Sequence, residues 1–233
     1  MTKLGSSKKI IILVMILALP GFLYYLLNVK GKNRYMPLPF FGPKTLAKTS
    51  HKFHGKVIPD TVYHKLPYFK LVDQTGNSLS SKDLDDRIFV ASFFYTHCPT
   101  VCSTINNNVN ALLSDYAKNK MICFVSITVD PQRDSVPVLK AYAKKYNPPG
   151  IKWYFLTGDT TTIYPLARQG FLVDATKVDN DNFIYSDKLI LIDKQKRIRG
   201  YYSGTSAKDI TKLNDEIKVL IAEELRKTDE PLY

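Results

Sequence analysis

Cys98 and Cys102 stand four positions apart in the run Tyr95-Thr96-His97-Cys98-Pro99-Thr100-Val101-Cys102. A thiol pair can close to a disulfide, attack another disulfide, or hold a soft metal ion. Pro99 suits the first position of a helix, where no backbone donor is needed. Cys98 then sits at the cap, and Cys102 lies one turn along on the same face. That separation is within the Cα range of a disulfide, so the pair can close reversibly. The positive end of the helix and its free backbone donors stabilise a thiolate at Cys98. Two thiolates side by side favour Cu(I) over hard cations. Zinc would want four ligands, and the chain has no second cysteine pair. The spacing alone is a weak signal, because two such cysteines can simply pack in a core. Its place between a strand and a helix is what gives it weight.

His97 is the best placed additional ligand. If the strand continues through it, its side chain points away from Cys98; a loop would let it reach. Otherwise it tunes the thiols or is exposed. His64, and His51 and His54 in the basic region before the folded body, are weaker candidates. Cys123 lies mid-strand between Ile122 and Phe124 and reads as a buried structural thiol. Asp130 and Asp134 follow a strand whose end should lie near the cysteines. They suit an electrostatic or partner-contact role, although the local expectation for Asp134 is to cap the next helix, with Arg133 pairing nearby.

The elements that must hold the pair follow from the pattern. Ile88–Tyr95 is a continuous β-branched and aromatic run, a central buried strand. Apolar positions Val101, Ile105, Val109, Leu112, Leu113 and Tyr116 recur at helical spacing, giving a helix over about 99–119. A second strand covers Met121–Val129, a helix Asp134–Tyr146, a third strand Lys152–Leu156 and a third helix Asp159–Arg168. Before these, Tyr68–Val72 pairs with about Asn77–Leu79 through Gln74-Thr75-Gly76-Asn77, and Ser81–Leu84 is a short helical turn. After them, Leu189–Asp193 and Ile198–Tyr202 form a hairpin, and Ser206 caps a last helix over Ala207–Leu225. Alternating strands and helices predict an α/β fold with a mainly parallel central sheet and a terminal β-hairpin, the thioredoxin-like arrangement.

The net charge of +12 is concentrated at one end. Ten basic residues precede the first acid, Asp60, leaving about +2 for the rest. A basic face on the folded body is therefore not expected, and a nucleic-acid partner is excluded as the reading. Ile10–Leu27 is an apolar run of 18 residues, interrupted by Pro20 and Gly21 and preceded by Lys3, Lys8 and Lys9. It predicts one transmembrane helix over 10–29, with residues 1–9 cytoplasmic. A cleaved signal peptide is the rival. Residues 30–60 are expected to be a tether, with regular structure improbable over Pro37–Pro43. The folded domain is expected over 61–227, followed by a tail over 228–233.

The chain resembles the SCO/SenC family, thioredoxin-fold proteins that assist copper insertion into cytochrome c oxidase. The resemblance rests on Phe93-Phe94-Tyr95-Thr96 with Cys98-Pro99-x-x-Cys102, on Val125-Ser126-Ile127-Thr128-Val129-Asp130-Pro131-Gln132-Arg133-Asp134, on Trp153 to Asp159, and on Leu191-Ile192-Asp193 with Arg197 to Gly204. It spans about 66–224. It implies that Cys98 and Cys102 are both the reactive thiols and the copper ligands, and that a histidine eight residues before Asp193 completes the site. Here that position is Tyr185, followed by Ser186. A neutral phenol is a poor Cu(I) ligand.

Two functions follow. One is an anchored, extracytoplasmic metallochaperone that binds Cu(I) and delivers it to an oxidase copper subunit. The other is a thiol–disulfide reductase of that subunit or another exported thiol protein, which needs only Cys98 and Cys102. A peroxiredoxin-type peroxidase expects Pro and Thr at set spacing ahead of the reactive cysteine, and Tyr95-Thr96-His97 does not supply them.

Overall fold

The computed structural model describes residues 6–30, 37–53, 56–98, 101–146, 153–179 and 183–229. The chain divides into two compact units, one before Pro37 and one from Pro37 onward. The first contains α1 (Ser6–Lys30). Its described side chains over 12–25 are exposed on every face and almost all apolar. Among the described residues no helix is long and apolar enough to cross a membrane. The expected transmembrane span over 10–29 is thus a helix in the structure, but not one that the described residues support as a span.

The second unit is built on a seven-stranded sheet in the order β11-β10-β5-β6-β7-β3-β4. Its strands are β3 (Lys70–Asp73), β4 (Ser78–Ser80), β5 (Ile88–Phe94), β6 (Ile122–Thr128), β7 (Trp153–Thr157), β10 (Lys188–Ile192) and β11 (Ile198–Ser203). Helices α2 (Val101–Asp115), α3 (Val136–Ala143), α4 (Thr160–Pro165) and α5 (Ala207–Asp229) pack on it. The sheet is mixed rather than mainly parallel. Only β5–β6 and β6–β7, joined through α2 and α3, run parallel. The hairpins at either side, and their junctions to β5 and β7, are antiparallel. Helical crossovers impose parallel pairing only in the middle of the chain.

Every residue of β5, β6 and β7 is buried. Alternation along β5 sends Ile88, Val90 and Phe94 to one face, against α2, α3 and α5, and Phe89, Ala91 and Phe93 to the other, against Leu84, Ile163 and Phe171. The first face also buries two hydroxyls, which satisfy each other: Ser92 Oγ lies 2.8 Å from Ser126 Oγ, and Trp153 Nε1 donates to Ser126 Oγ at 2.9 Å. The turn before β4 forms as expected. Gly76 takes a φ of +87°, and the Asp73 carboxylate accepts from the amides of Thr75 and Asn77.

Two features replace the expected tether. β1 (Lys44–Phe53) and β2 (Lys56–Tyr63) form an antiparallel ribbon that is a sheet of its own. Ahead of it, Leu38–Phe41 has no helix or strand but is docked. Phe41 N–H donates to Ile198 O at 3.0 Å, and fully buried Arg199 donates to Leu38 O and Pro39 O at 2.6 and 3.2 Å. The packed unit therefore starts ahead of Thr61. The π-helical turn Leu166–Phe171 extends α4, and β8 (Ala175–Lys177) pairs with β9 (Phe183–Tyr185) in a second small hairpin.

Candidate functional site

The parallel register brings Phe94 beside Thr128, so the carboxyl ends of β5 and β6 open on the same edge. The chain leaves β5 through a turn at Tyr95-Thr96-His97, closed by Cys98 N–H donating to Tyr95 O at 3.2 Å. α2 then begins at Val101; Pro99 and Thr100 lie outside the described residues. Cys98 is half-buried and Cys102 is buried. Their Cα atoms are 5.9 Å apart and the pair is closed as a disulfide. Cys102 N–H donates to Cys98 Sγ at 3.2 Å. The helix start thus points a backbone donor at the sulfur, which stabilises negative charge there once the bond is reduced.

The turn is fixed from below. Asp134, fully buried, accepts from Thr96 N–H at 3.1 Å and from Thr96 Oγ1 at 2.5 Å, and also from Thr128 Oγ1. It does not cap α3. Ser135 occupies that position, and the Asp134 carboxylate turns inward because three donors meet it there. Asp130, buried, lies 3.4 Å from Arg133 Nε, the local pairing expected. The Asp134 role escaped sequence reasoning. The available signal was a hydroxyl at the end of each apolar strand, Thr96 and Thr128, both needing a buried acceptor.

Tyr185, at the end of β9, closes the other side. Its hydroxyl lies 3.2 Å from Cys98 Sγ and 3.2 Å from Cys102 Sγ. The Tyr95 ring holds it edge-on, centroids 5.6 Å apart, and packs on Phe183 at 5.0 Å. Burial pushes the Tyr185 phenol up to about 12, with Tyr95 and the Asp187 carboxylate adding to it. It stays protonated at neutral pH and is a hydrogen-bond donor to sulfur rather than an anionic ligand.

The histidines are not gathered here. His97 is exposed, with Nδ1 3.1 Å from Thr96 Oγ1. His64 Nε2 lies 2.7 Å from Gly170 O, and the side chains of His51 and His54 lie outside the described residues. Among the described residues no three His, Cys, Asp or Glu side chains cluster so as to hold a metal ion. The structure thus brings Cys98, Cys102 and Tyr185 together and leaves His97 apart. Cys123 is fully buried, and burial pushes its thiol up to about 11.

Comparison with known proteins bears on the family and the fold. The SCO1/SenC family model matches residues 60–222. The SCO2-like protein RP587 of Rickettsia prowazekii is 32% identical over 217 residues, covering 90% of this chain and 96% of that one. Among solved structures, a SCO1/SenC family lipoprotein from Bacillus anthracis superposes with a TM-score of 0.64 at 29% identity, over 68% of this chain and 95% of its own. Bradyrhizobium japonicum ScoI with copper bound shares the fold, with a TM-score of 0.57 at 24% identity, over 66% and 98%. With the family model covering most of the packed unit and a relative matched along nearly its whole length, this chain belongs to the SCO1/SenC family.

Proposed function

We propose that this chain binds Cu(I) through reduced Cys98 and Cys102 and delivers it to a copper subunit during cytochrome c oxidase assembly. The observation that carries the reading is the thiol pair itself: two sulfurs on one helical turn, 5.9 Å apart at Cα, with the Cys102 amide aimed at Cys98 Sγ. Two soft thiolates suit Cu(I). Copper is the cargo here, and the residues present fit it in part. The sulfurs supply two donors, and the third neighbour is the protonated phenol of Tyr185. Family membership supports the copper reading, and ScoI of Bradyrhizobium japonicum, a relative in fold, has been solved with copper bound. The exposed apolar surface of α1 and the 18-residue run Ile10–Leu27 support an anchor, with the thiol domain on the extracytoplasmic side. Resistance of the full chain to carbonate extraction tests the anchor.

The Tyr185 contact favours a second reading, thiol–disulfide reduction. One thiolate of the pair attacks a partner disulfide and forms a mixed disulfide, releasing one partner thiolate. The second cysteine then attacks the mixed disulfide, leaving the partner as a dithiol and Cys98–Cys102 oxidised. The partner gains two electrons and two protons, and the pair loses them.

A Cu(I) competition titration of the reduced full chain, beside Tyr185→His and Cys98→Ser, separates the two. Tight one-to-one binding that Cys98→Ser abolishes and Tyr185→His barely improves supports delivery. Weak binding that Tyr185→His strengthens by an order of magnitude or more rejects copper as the native cargo and leaves the reductase.

A further inference from the structure

The β1–β2 ribbon takes no part in the thiol site. Ten- and eight-residue strands pair only with each other, in a sheet separate from the main one. A two-stranded ribbon is marginal in water unless something covers it. This one displays large apolar side chains instead: Leu46 is 75% exposed, Val57 64%, Val62 49% and Ile58 40%.

Register sorts these into two faces. Leu46 pairs with Thr61 and Lys44 with Tyr63, and period-two alternation puts Val57 on the same side as Thr61 and Tyr63. Ile58 and Val62 fall on the opposite side, together with Asp60, the single acid of the ribbon. One face therefore carries Lys44, Leu46 and Val57 with no acid among its residues. Of the ribbon's four lysines, Lys44 and Lys52, the latter paired with Val57, share this face; Lys56, paired with Phe53, falls on the other, and Lys48 lies where the register shifts between Leu46 and Ser50. Lysines along both strands discourage edge-on addition of another strand. Basic side chains interleaved with exposed apolar ones instead complement anionic headgroups lying over acyl chains.

We infer that the Lys44–Leu46–Val57 face of this ribbon lies on an anionic phospholipid surface. The lysines meet headgroup phosphates, and Leu46 and Val57 enter the headgroup–acyl boundary. The contact does not depend on the copper reading, nor on α1 crossing the bilayer.

The test uses the full chain with Leu46→Trp as a reporter; native Trp153 is fully buried and gives a constant background. Vesicles contain brominated acyl chains, in pure phosphatidylcholine or with phosphatidylglycerol added. Blue-shifted, quenched emission from the Leu46→Trp reporter is expected on the phosphatidylglycerol vesicles alone. Lys44→Gln with Lys52→Gln should weaken it, each lysine lost lowering ribbon association about fivefold. Absence of quenching on anionic vesicles overturns the inference. So does equal quenching on neutral vesicles, which would assign the contact to apolar burial without charge. Equal quenching of a Thr211→Trp reporter on exposed α5 overturns it as well, since the whole domain would then be adsorbing. Flotation with neutral vesicles reads the anchor separately, so failure of one is not mistaken for failure of the other.

Discussion

The Tyr185 hydroxyl stands 3.2 Å from the sulfur of Cys98 and 3.2 Å from the sulfur of Cys102. With its phenol pushed up to about 12 by burial, it remains a donor across the working pH range. A donor does little for a neutral disulfide and more for the thiolate that replaces it. A hydrogen bond to a charged group stabilises by roughly 1.5–3 kcal/mol, a neutral one by about 1. The difference favours the reduced state. Tyr185→Phe should therefore make the Cys98–Cys102 couple more reducing by about 30 mV, the equivalent of about 1.4 kcal/mol for two electrons. Equilibration with glutathione buffers measures it. An unchanged midpoint would mean the hydroxyl treats both redox states alike.

Asp134 should matter out of proportion to its distance from the sulfurs. Asp134→Ala leaves Thr96 N–H, Thr96 Oγ1 and Thr128 Oγ1 without their shared acceptor in a buried place. Unmade buried hydrogen bonds cost about 1–3 kcal/mol each, and local relaxation recovers part of this. A loss of about 3 kcal/mol in urea unfolding is expected. Hydrogen exchange should speed up at the Tyr95–Cys98 turn before the rest of the fold. Uniform acceleration throughout would show that Asp134 supports the domain and not the turn in particular.

The parts of this fold legible in the sequence are those where burial is complete. β5, β6 and β7 are unbroken apolar runs because both faces of the sheet are covered, and α2 shows its buried stripe at helical spacing. What stayed hidden depends on backbone acceptors and on small elements. Leu38–Phe41 looks like a linker because Pro39 within it and Pro37 and Pro43 beside it disfavour helix and strand, yet its carbonyls are what buried Arg199 needs. A sharper reading of Ile198-Arg199-Gly200 would have asked where an arginine inside an apolar strand finds its acceptors. The lysine-rich β1 carries too little apolar pattern to announce itself, and β9, though apolar, is only three residues long. Tyr185 was placed by family spacing alone, and its contact with both sulfurs depends on the β8–β9 hairpin, which the sequence did not reveal.

Cys123 should behave as a core atom and not as a reactive thiol. It is fully buried with its thiol pushed up to about 11 by burial, so at pH 8 about one molecule in a thousand would carry a thiolate. Oxidised full-length protein should show no thiol titratable by a disulfide reagent until urea unfolds it, and then a single one. Rapid labelling under native conditions would place Cys123 on a mobile surface instead.

Arg199 ties three parts of the chain together, and pH should report it. Its guanidinium meets Asp193 Oδ2 at 3.3 Å and Glu223 Oε2 at 2.8 Å, while also holding Leu38 O and Pro39 O. Phe40 lies under it at 4.3 Å and under Arg197 at 4.5 Å. Burial alone would push the Glu223 carboxyl up, but hydrogen bonds and charge from Arg199, with help from Lys227, bring it below its ordinary value of 4.5. A carboxylate with a lowered folded value binds fewer protons folded than unfolded. Its stabilisation is therefore fully present above about 4.5 and is lost as the pH falls through the lowered value. Glu223→Gln should lower the urea midpoint at pH 7, and the gap to the parent should narrow as the pH falls below 4.5. Arg199→Met is expected to be costlier, because it takes from buried Asp193 one of its two guanidinium partners, leaving Arg197 and two backbone amides, and also leaves Leu38 O, Pro39 O and the Glu223 carboxylate without their shared donor. It should also free the Leu38–Phe41 segment to proteolysis while the Cys98–Cys102 midpoint potential stays unchanged. A shifted potential would show that the clamp and the thiol site share one cooperative unit.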